Sequence, residues 1–180
     1  TVTSTITLTP SIDIPVVSDV GGTLTYNEND LPKIIDGTIT ITDDDDTHIV
    51  GGTVTISSGY LTGDVLTLTG QGDINGGVSN SSGILTITTT APVTLAEYES
   101  ALESITYHNT LEDPTQNNNS RDLTLTWVTN DANSDDAGTG ISTVTSTITL
   151  TPSIDIPVVS DIGTLAYDEN DPPKIIDGSI

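Results

Sequence analysis

Cysteine is absent from this 180-residue chain, and so are methionine and phenylalanine. Without cysteine, neither disulfides nor thiolate metal sites can hold a fold together. Tryptophan occurs once, as Trp127, and tyrosine five times. A core must therefore come from Val, Ile and Leu, helped by threonine methyls. Bases are nearly missing too: Lys33, Arg121 and Lys174 face 26 acids, for a formal charge of −23. Charge of that sign excludes nucleic acid and an anionic membrane surface as partners. No apolar stretch approaches the ~20 residues of a membrane span. No secretory leader is visible, as expected of an internal portion of a longer protein. There are two histidines, His48 and His108, and no G-x-S-x-G nucleophile elbow, so nothing here points to a hydrolase. The acids also lack the aromatic platform that glycoside-cleaving carboxylate pairs usually carry. The reading is a protein that is not an enzyme.

What the chain does have is a copy of itself. Residues 1–20 read TVTSTITLTPSIDIPVVSDV, and residues 143–162 repeat them with one substitution. After a one-residue slip, GTLTYNENDLPKIIDGTI (22–39) returns as GTLAYDENDPPKIIDGSI (163–180). A period of roughly 142 residues is too long for a solenoid turn and suits a whole domain in an array. Residues 1–10 are then the last strand of a preceding repeat, and 11–151 one complete repeat domain. Residues 152–180 form a linker and the incomplete start of the next repeat. The linker segment PSIDIP, at 10–15 and 152–157, is stiffened by two prolines around one acid.

Alternating Thr, Val, Ile and Leu give the period-two pattern of half-buried strands. Strands are predicted near 23–26, 38–42, 49–57, 64–69, 84–90, 104–108, 121–129 and 140–151. Gly-rich turns between them argue an all-β sandwich. One segment breaks the pattern. Thr94 and Glu97 have capping-box spacing, and Leu95, Tyr98, Leu102 and Ile105 recur at helical intervals, predicting a short helix over 95–103. Trp127 falls in a Leu/Thr/Val strand and is assigned to the core.

Carboxylates gather in four places: the box Tyr26-Asn27-Glu28-Asn29-Asp30 with its copy at 167–171, the run Asp43-Asp44-Asp45-Asp46, the stretch 130–136 that includes Asp131, and the linker acids Asp13 and Asp155. Hard cations such as Ca²⁺ want six to eight oxygens. Alternate residues of an extended run, here Asp43 and Asp45, point the same way. Solvated turns are the competing reading, since aspartate is a favoured turn residue. His48 beside the aspartates suits Zn²⁺ or Cu²⁺ better than Ca²⁺.

The order of the Y-x-E-N-D box, I-I-D-G, D-D-D-D, D-V-L-T-L, a Gly/Asn loop, G-I-L-T-I, the segment A-E-Y-E-S-A-L-E-S-I-T-Y-H-N-T and a final V-T-N-D strand resembles the cadherin-like tandem domains of giant bacterial surface and biofilm adhesins. That resemblance covers nearly the whole repeat. It implies a calcium-stabilised Greek-key sandwich, cadherin- or Ig-like, with one short helix, repeated in tandem as an extracellular stalk. It also implies which acids meet: Asp13 with Asp43 and Asp45 at the joint before the repeat, and Glu28 and Asp131 with Asp155 at the joint after it. Asp30 and Glu169 complete the expected metal ligands. The linker lacks the acid- and Asn-rich D-x-N-D-N-x-P of animal cadherins, so fewer ions per joint are expected. Expected partners are neighbouring copies of the same repeat, a homopolymer included. Two alternatives belong to other classes: a filament subunit that exchanges strands between chains, and a glycan- or cell-binding module. The second needs an aromatic patch, for which Tyr60, Tyr98 and Tyr107 are the candidates.

Overall fold

Alternation decides the strands. In RDLTLTWVTND, the side chains of Leu123, Leu125, Trp127, Thr129 and Asp131 are buried and those between them are not, as a pleated strand with one face on a core requires. A computed structural model of the chain describes residues 2–8, 14–116, 119–132, 141–153 and 165–175. Twelve strands and one helix follow in order: β1 (Val16–Ser18), β2 (Thr23–Asn27), β3 (Lys33–Ile34), β4 (Thr40–Thr42), β5 (His48–Ser58), β6 (Asp64–Leu68), β7 (Ile74–Asn75), β8 (Gly77–Val78), β9 (Ile84–Thr94), α1 (Leu95–Glu103), β10 (Thr106–Asn109), β11 (Arg121–Asp131) and β12 (Ile141–Thr151).

The strands make a six-stranded sheet in the order β2-β12-β11-β5-β9-β7, a four-stranded sheet β3-β10-β6-β8, and the pair β1-β4. Within the large sheet β2 runs parallel to β12 and the other pairs are antiparallel. Leu66, Leu68 and Tyr107 of the smaller sheet share one hydrophobic cluster with Leu85, Ile87, Leu125, Trp127, Ile148 and Leu150 of the larger. The fold is all-β and sandwich-like. The eight predicted strands are present with shifted ends, while β1, β3, β7 and β8, of two or three residues each, are too short to show a period.

The helix stands where its cap places it. Thr94 Oγ1 accepts from Glu97 N, and Glu97 Oε2 accepts from Thr94 N at 2.9 Å, so both halves of the capping box are made. Tyr98, Ala101 and Leu102 are buried, and Glu99 Oε1 accepts from Ile41 N at 2.6 Å, which ties α1 to β4.

Residues 2–8 behave differently from their twins. Predicted as a strand, they belong to no strand and are all exposed. Ile6 and Leu8 are 86% and 91% exposed, whereas Ile148 and Leu150, the same residues of the same nonapeptide, are 0% exposed in β12. An isolated strand has no face to bury and no ladder to join. Sequence permits this strand; the neighbours β11 and β2 create it.

Backbone proximity is tightest at the paired glycines of β5. A Cβ on Gly52 would lie 2.0 Å from Val128 O and 2.8 Å from Tyr98 Oη, and the β-ladder leaves neither strand room to retreat. Gly52→Ala is expected to destabilise the domain by about 3 kcal/mol, the upper part of the usual overpacking range. Denaturant unfolding followed by Trp127 fluorescence checks this; a change of a few tenths would mean that the β5–β11 contact is loose.

Candidate functional site

Strand direction sorts the acids into two poles. β4 ends at Thr42 and β5 begins at His48, so residues 43–46 form the turn at one pole, called proximal because residues 14–16 arrive there: Val16 pairs with Thr42. β11 terminates at the same pole. Asp131 pairs with Ile49, and Ala132 N donates to His48 O at 3.0 Å. Asp131 is 1% and Asp46 3% exposed; Asp43 and Asp45 are half-buried and Asp44 is exposed. Asp43 Oδ1 accepts the backbone N–H of Asp45 at 3.2 Å and of Asp46 at 3.0 Å. Asp43 Oδ2 is buried with no hydrogen-bond partner.

The distal pole lies at the other end of β12. Glu28 N donates to Thr151 O at 3.1 Å, and Glu28 Oε2 accepts from Ser153 N at 2.7 Å. Glu28 is 9% exposed and holds the chain as it leaves β12. The expected meeting of Glu28 with Asp131 does not occur. β11 is antiparallel to β12, with Arg121 opposite Leu150 and Asn130 opposite Ile141. Asp131 is therefore about twelve residue steps from Glu28 along the sheet, roughly 40 Å at ~3.3 Å a step, and joins Asp43 and Asp45 at the proximal pole. Asp13 and Asp155, the linker acids, lie outside the described residues. Among the described residues, no three carboxylates or imidazoles converge into a metal-ligating group by themselves.

Asp30 does local work. Its Oδ2 accepts from Asn27 N at 2.8 Å and from Asn27 Nδ2 at 3.1 Å, and it pairs with Lys33. Tyr26 Oη donates to Asp30 O at 2.6 Å, and Asn29 takes φ +63°, a conformation that Asn tolerates. The second copy folds alike: Tyr167 Oη donates to Asp171 O, Asp168 N donates to Asp171 Oδ2, Lys174 pairs with Asp171, and Asn170 takes φ +70°. Tyr26 is 1% exposed and Tyr167 57%, so this turn forms with or without a core over it. Glu169, the twin of Glu28, is exposed.

The most connected buried polar group was not among the expected residues. Asp64, 2% exposed, accepts from both terminal nitrogens of Arg121 at 2.8 Å, from Tyr107 Oη at 2.6 Å and from Asn109 Nδ2 at 2.8 Å. Burial opposes its ionisation, yet the Arg121 and Tyr107 hydrogen bonds outweigh that and hold its carboxyl below the ordinary value of 3.8. Burial, reinforced by the Asp64 charge, pushes Tyr107 up. One arginine in so acidic a chain was a signal that a buried carboxylate awaits it. Asp36 was also missed. It is 8% exposed, with Oδ1 held by Thr38 and Oδ2 lacking a hydrogen-bond partner.

Other candidates resolve into packing. Tyr98 and Tyr107 are 0% exposed, so of the three tyrosines only half-buried Tyr60 is open to a sugar. Trp127 is core, donating from Nε1 to Ser146 Oγ at 2.8 Å. His48 Nδ1 meets Thr47 Oγ1 at 2.8 Å, and the half-buried His108 ring lies edge-on to Tyr26. No helix among the described residues is long and apolar enough to cross a membrane. No protein-family model matches this chain, and neither does any curated protein or solved structure.

The Asp64 site has a pH signature. A carboxyl whose folded pKa is depressed contributes stability that is present above its unfolded pKa, about 4, and lost as pH falls through the lower folded value. Asp64→Asn leaves Arg121 buried without its counter-charge, and is expected to cost about 3 kcal/mol at neutral pH. The gap between parent and variant should close on acidification below about pH 4. Parallel denaturant titrations across pH measure it; a gap independent of pH would mean that the pair is not ionic.

Proposed function

We propose that this repeat is a structural module of an extracellular stalk or surface fibre, stiffened by Ca²⁺ at the acidic joints between successive repeats. One observation carries the reading. Lys33, Arg121 and Lys174 are the chain's only lysine and arginine residues, and each is paired with a carboxylate: Asp30, Asp64 and Asp171. None of these three ion pairs lies at the proximal pole, where the acids at 43–46 and Asp131 gather. A cation from solution would add positive charge there. The donors are hard oxygens, the kind that Ca²⁺ selects, and Asp43 Oδ2 is an acceptor without a donor.

Asp43, Asp45 and Asp131 would hold such an ion from the repeat, with Asp13 contributed by the linker before it. At the distal pole Glu28, placed by its turn, would act with Asp155, and Glu169 would repeat that role in the next domain. The ion supplies positive charge between carboxylates that otherwise repel. A joint assembled from two domains and a linker becomes rigid only when that charge is present. In low calcium the poles repel and the array slackens. The Greek-key, cadherin-like and adhesin aspects of the reading rest on the motif order.

Thermal melts of the chain in millimolar Ca²⁺ and after chelation test this. Saturation well above Kd is worth about 2.7 kcal/mol per site at a hundredfold excess, or roughly 5–10 °C for a domain of this size. The combined variant Asp43→Asn/Asp131→Asn should lose that rise. NaCl at matched ionic strength should not reproduce it, since screening acts on all exposed charges alike. An unchanged Tm in Ca²⁺ would sink the proposal.

A further inference from the structure

Between β3 and β4 the chain crosses from the edge of the smaller sheet to the β1-β4 pair, and Asp36 sits in that crossing. Ile35 N donates to Ile105 O at 3.0 Å, so the crossing starts from a fixed point just past α1. Asp36 is 8% exposed. Its Oδ1 accepts from Thr38 N at 2.9 Å and from Thr38 Oγ1 at 2.8 Å. Its Oδ2 is buried and has no hydrogen-bond partner. An enclosed carboxylate oxygen without a donor is costly, and here there is room for something to supply one. Apart from its chain neighbours, a Cβ built on Gly22 would find a single atom within 4 Å, and that atom is Asp36 Oδ2 at 3.7 Å. The absent side chain of Gly22 leaves an opening in front of the unpartnered oxygen.

Asp19, in the loop between β1 and β2, brings a second set of oxygens. It takes φ +58°, and its Oδ2 accepts from Thr40 Oγ1 at 3.1 Å. Thr38 Oγ1, bonded to Asp36, also lies 3.4 Å from Asp19 O, so carbonyl and buried carboxylate are close neighbours. The ion pairs of Lys33, Arg121 and Lys174 reach neither Asp36 nor Asp19. A water in the opening would give Oδ2 a hydrogen bond. A cation would give it a bond and offset two neighbouring negative charges as well. We propose that the crossing at 36–38 and the loop at 19–22 form a site for a hydrated hard divalent cation such as Ca²⁺. Asp36 Oδ2 is its anchoring ligand, and Asp19 oxygens and water complete the shell. Every donor is an oxygen, as hard cations require. The site belongs to the body of one repeat and uses no linker, so it is independent of the joints. β2 is an edge strand of the larger sheet and β3 of the smaller. An ion here ties the loop entering β2 to the segment leaving β3, and so clamps the side of the sandwich where both edges lie.

Amide NMR reads this site apart from the poles. Titrated with Ca²⁺ at constant ionic strength, the backbone amide of Thr38, which is bonded to Asp36, should shift and saturate. Two variants probe the ligand and the opening. Asp36→Asn removes the charge and keeps an acceptor for Thr38. Gly22→Ala sets a methyl 3.7 Å from Oδ2, an ordinary contact at a residue without a left-handed φ, so the fold is kept while the opening is filled. Each variant is expected to weaken the Thr38 response to Ca²⁺ by about tenfold or more, because affinity follows the charge and geometry of the ligands. Trp127 fluorescence checks that both are folded, and Gly22→Ala carries the test alone if Asp36→Asn is not. Asp43→Asn/Asp131→Asn should leave the Thr38 response unchanged, whatever becomes of the melting shift assigned to the proximal pole. A Thr38 amide that ignores Ca²⁺, that responds with equal affinity in Gly22→Ala, or that falls silent in Asp43→Asn/Asp131→Asn would overturn the proposal.

Discussion

The ion pair of Asp64 and Arg121 is the constraint on which the distal half of the domain depends. Asp64 opens β6 in the smaller sheet and Arg121 opens β11 in the larger, so their two parallel hydrogen bonds cross the sandwich. Arg121 also donates to Gly59 O and Pro114 O, pinning two loops to the same point. Tyr107 and Asn109 bring β10 to the carboxylate, and Asn109 N reaches Tyr26 Oη. Tyr26 in turn closes the turn that carries Glu28, and its ring stands edge-on to Tyr107 at 4.9 Å, a favourable aromatic geometry. The position of Glu28 at the distal pole thus traces back, link by link, to a buried charge. Such a pair adds little net stability over apolar packing, but removing either partner strands the other in a medium that cannot solvate it.

The proximal pole is held differently. Asp43 Oδ1 accepts the backbone N–H groups of Asp45 and Asp46, folding the acid turn upon itself, and Ala132 N donates to His48 O where β11 runs out beside it. The two ends of the domain are thus set by different kinds of bond: an ion pair that crosses the sandwich at one, and backbone hydrogen bonds within and beside a turn at the other.

Much of this was legible in the residues. Alternation marked every long strand, and Thr94 with Glu97 marked the helix, because both patterns are local and need no partner to be recognised. Acid clusters were visible as clusters. Which acids share a pole was not, because that depends on strand direction, and Asp131 was assigned to the wrong end for that reason. The Asp64 network was hidden by distance: Asp64 and Arg121 are 57 residues apart, and nothing beside either one announces the other. The nonapeptide at 1–9 shows the limit in its purest form. Its letters are those of β12, and only the presence or absence of β11 and β2 decides whether they make a strand.

The turn at 26–33 and its copy at 167–174 bear on the order in which the chain organises itself. β2 must wait for β12, which lies 124 residues later where Thr23 meets Thr147, and contacts of that sequence separation form slowly. The turn at the end of β2 needs nothing from that distance, since its bonds span three or four residues. A ribosome delivering this chain would release a finished corner long before the strand that buries it exists. The copy at 167–174 makes the same short-range bonds with its tyrosine ring still exposed, so the corner is a fixed point that exists before anything packs on it.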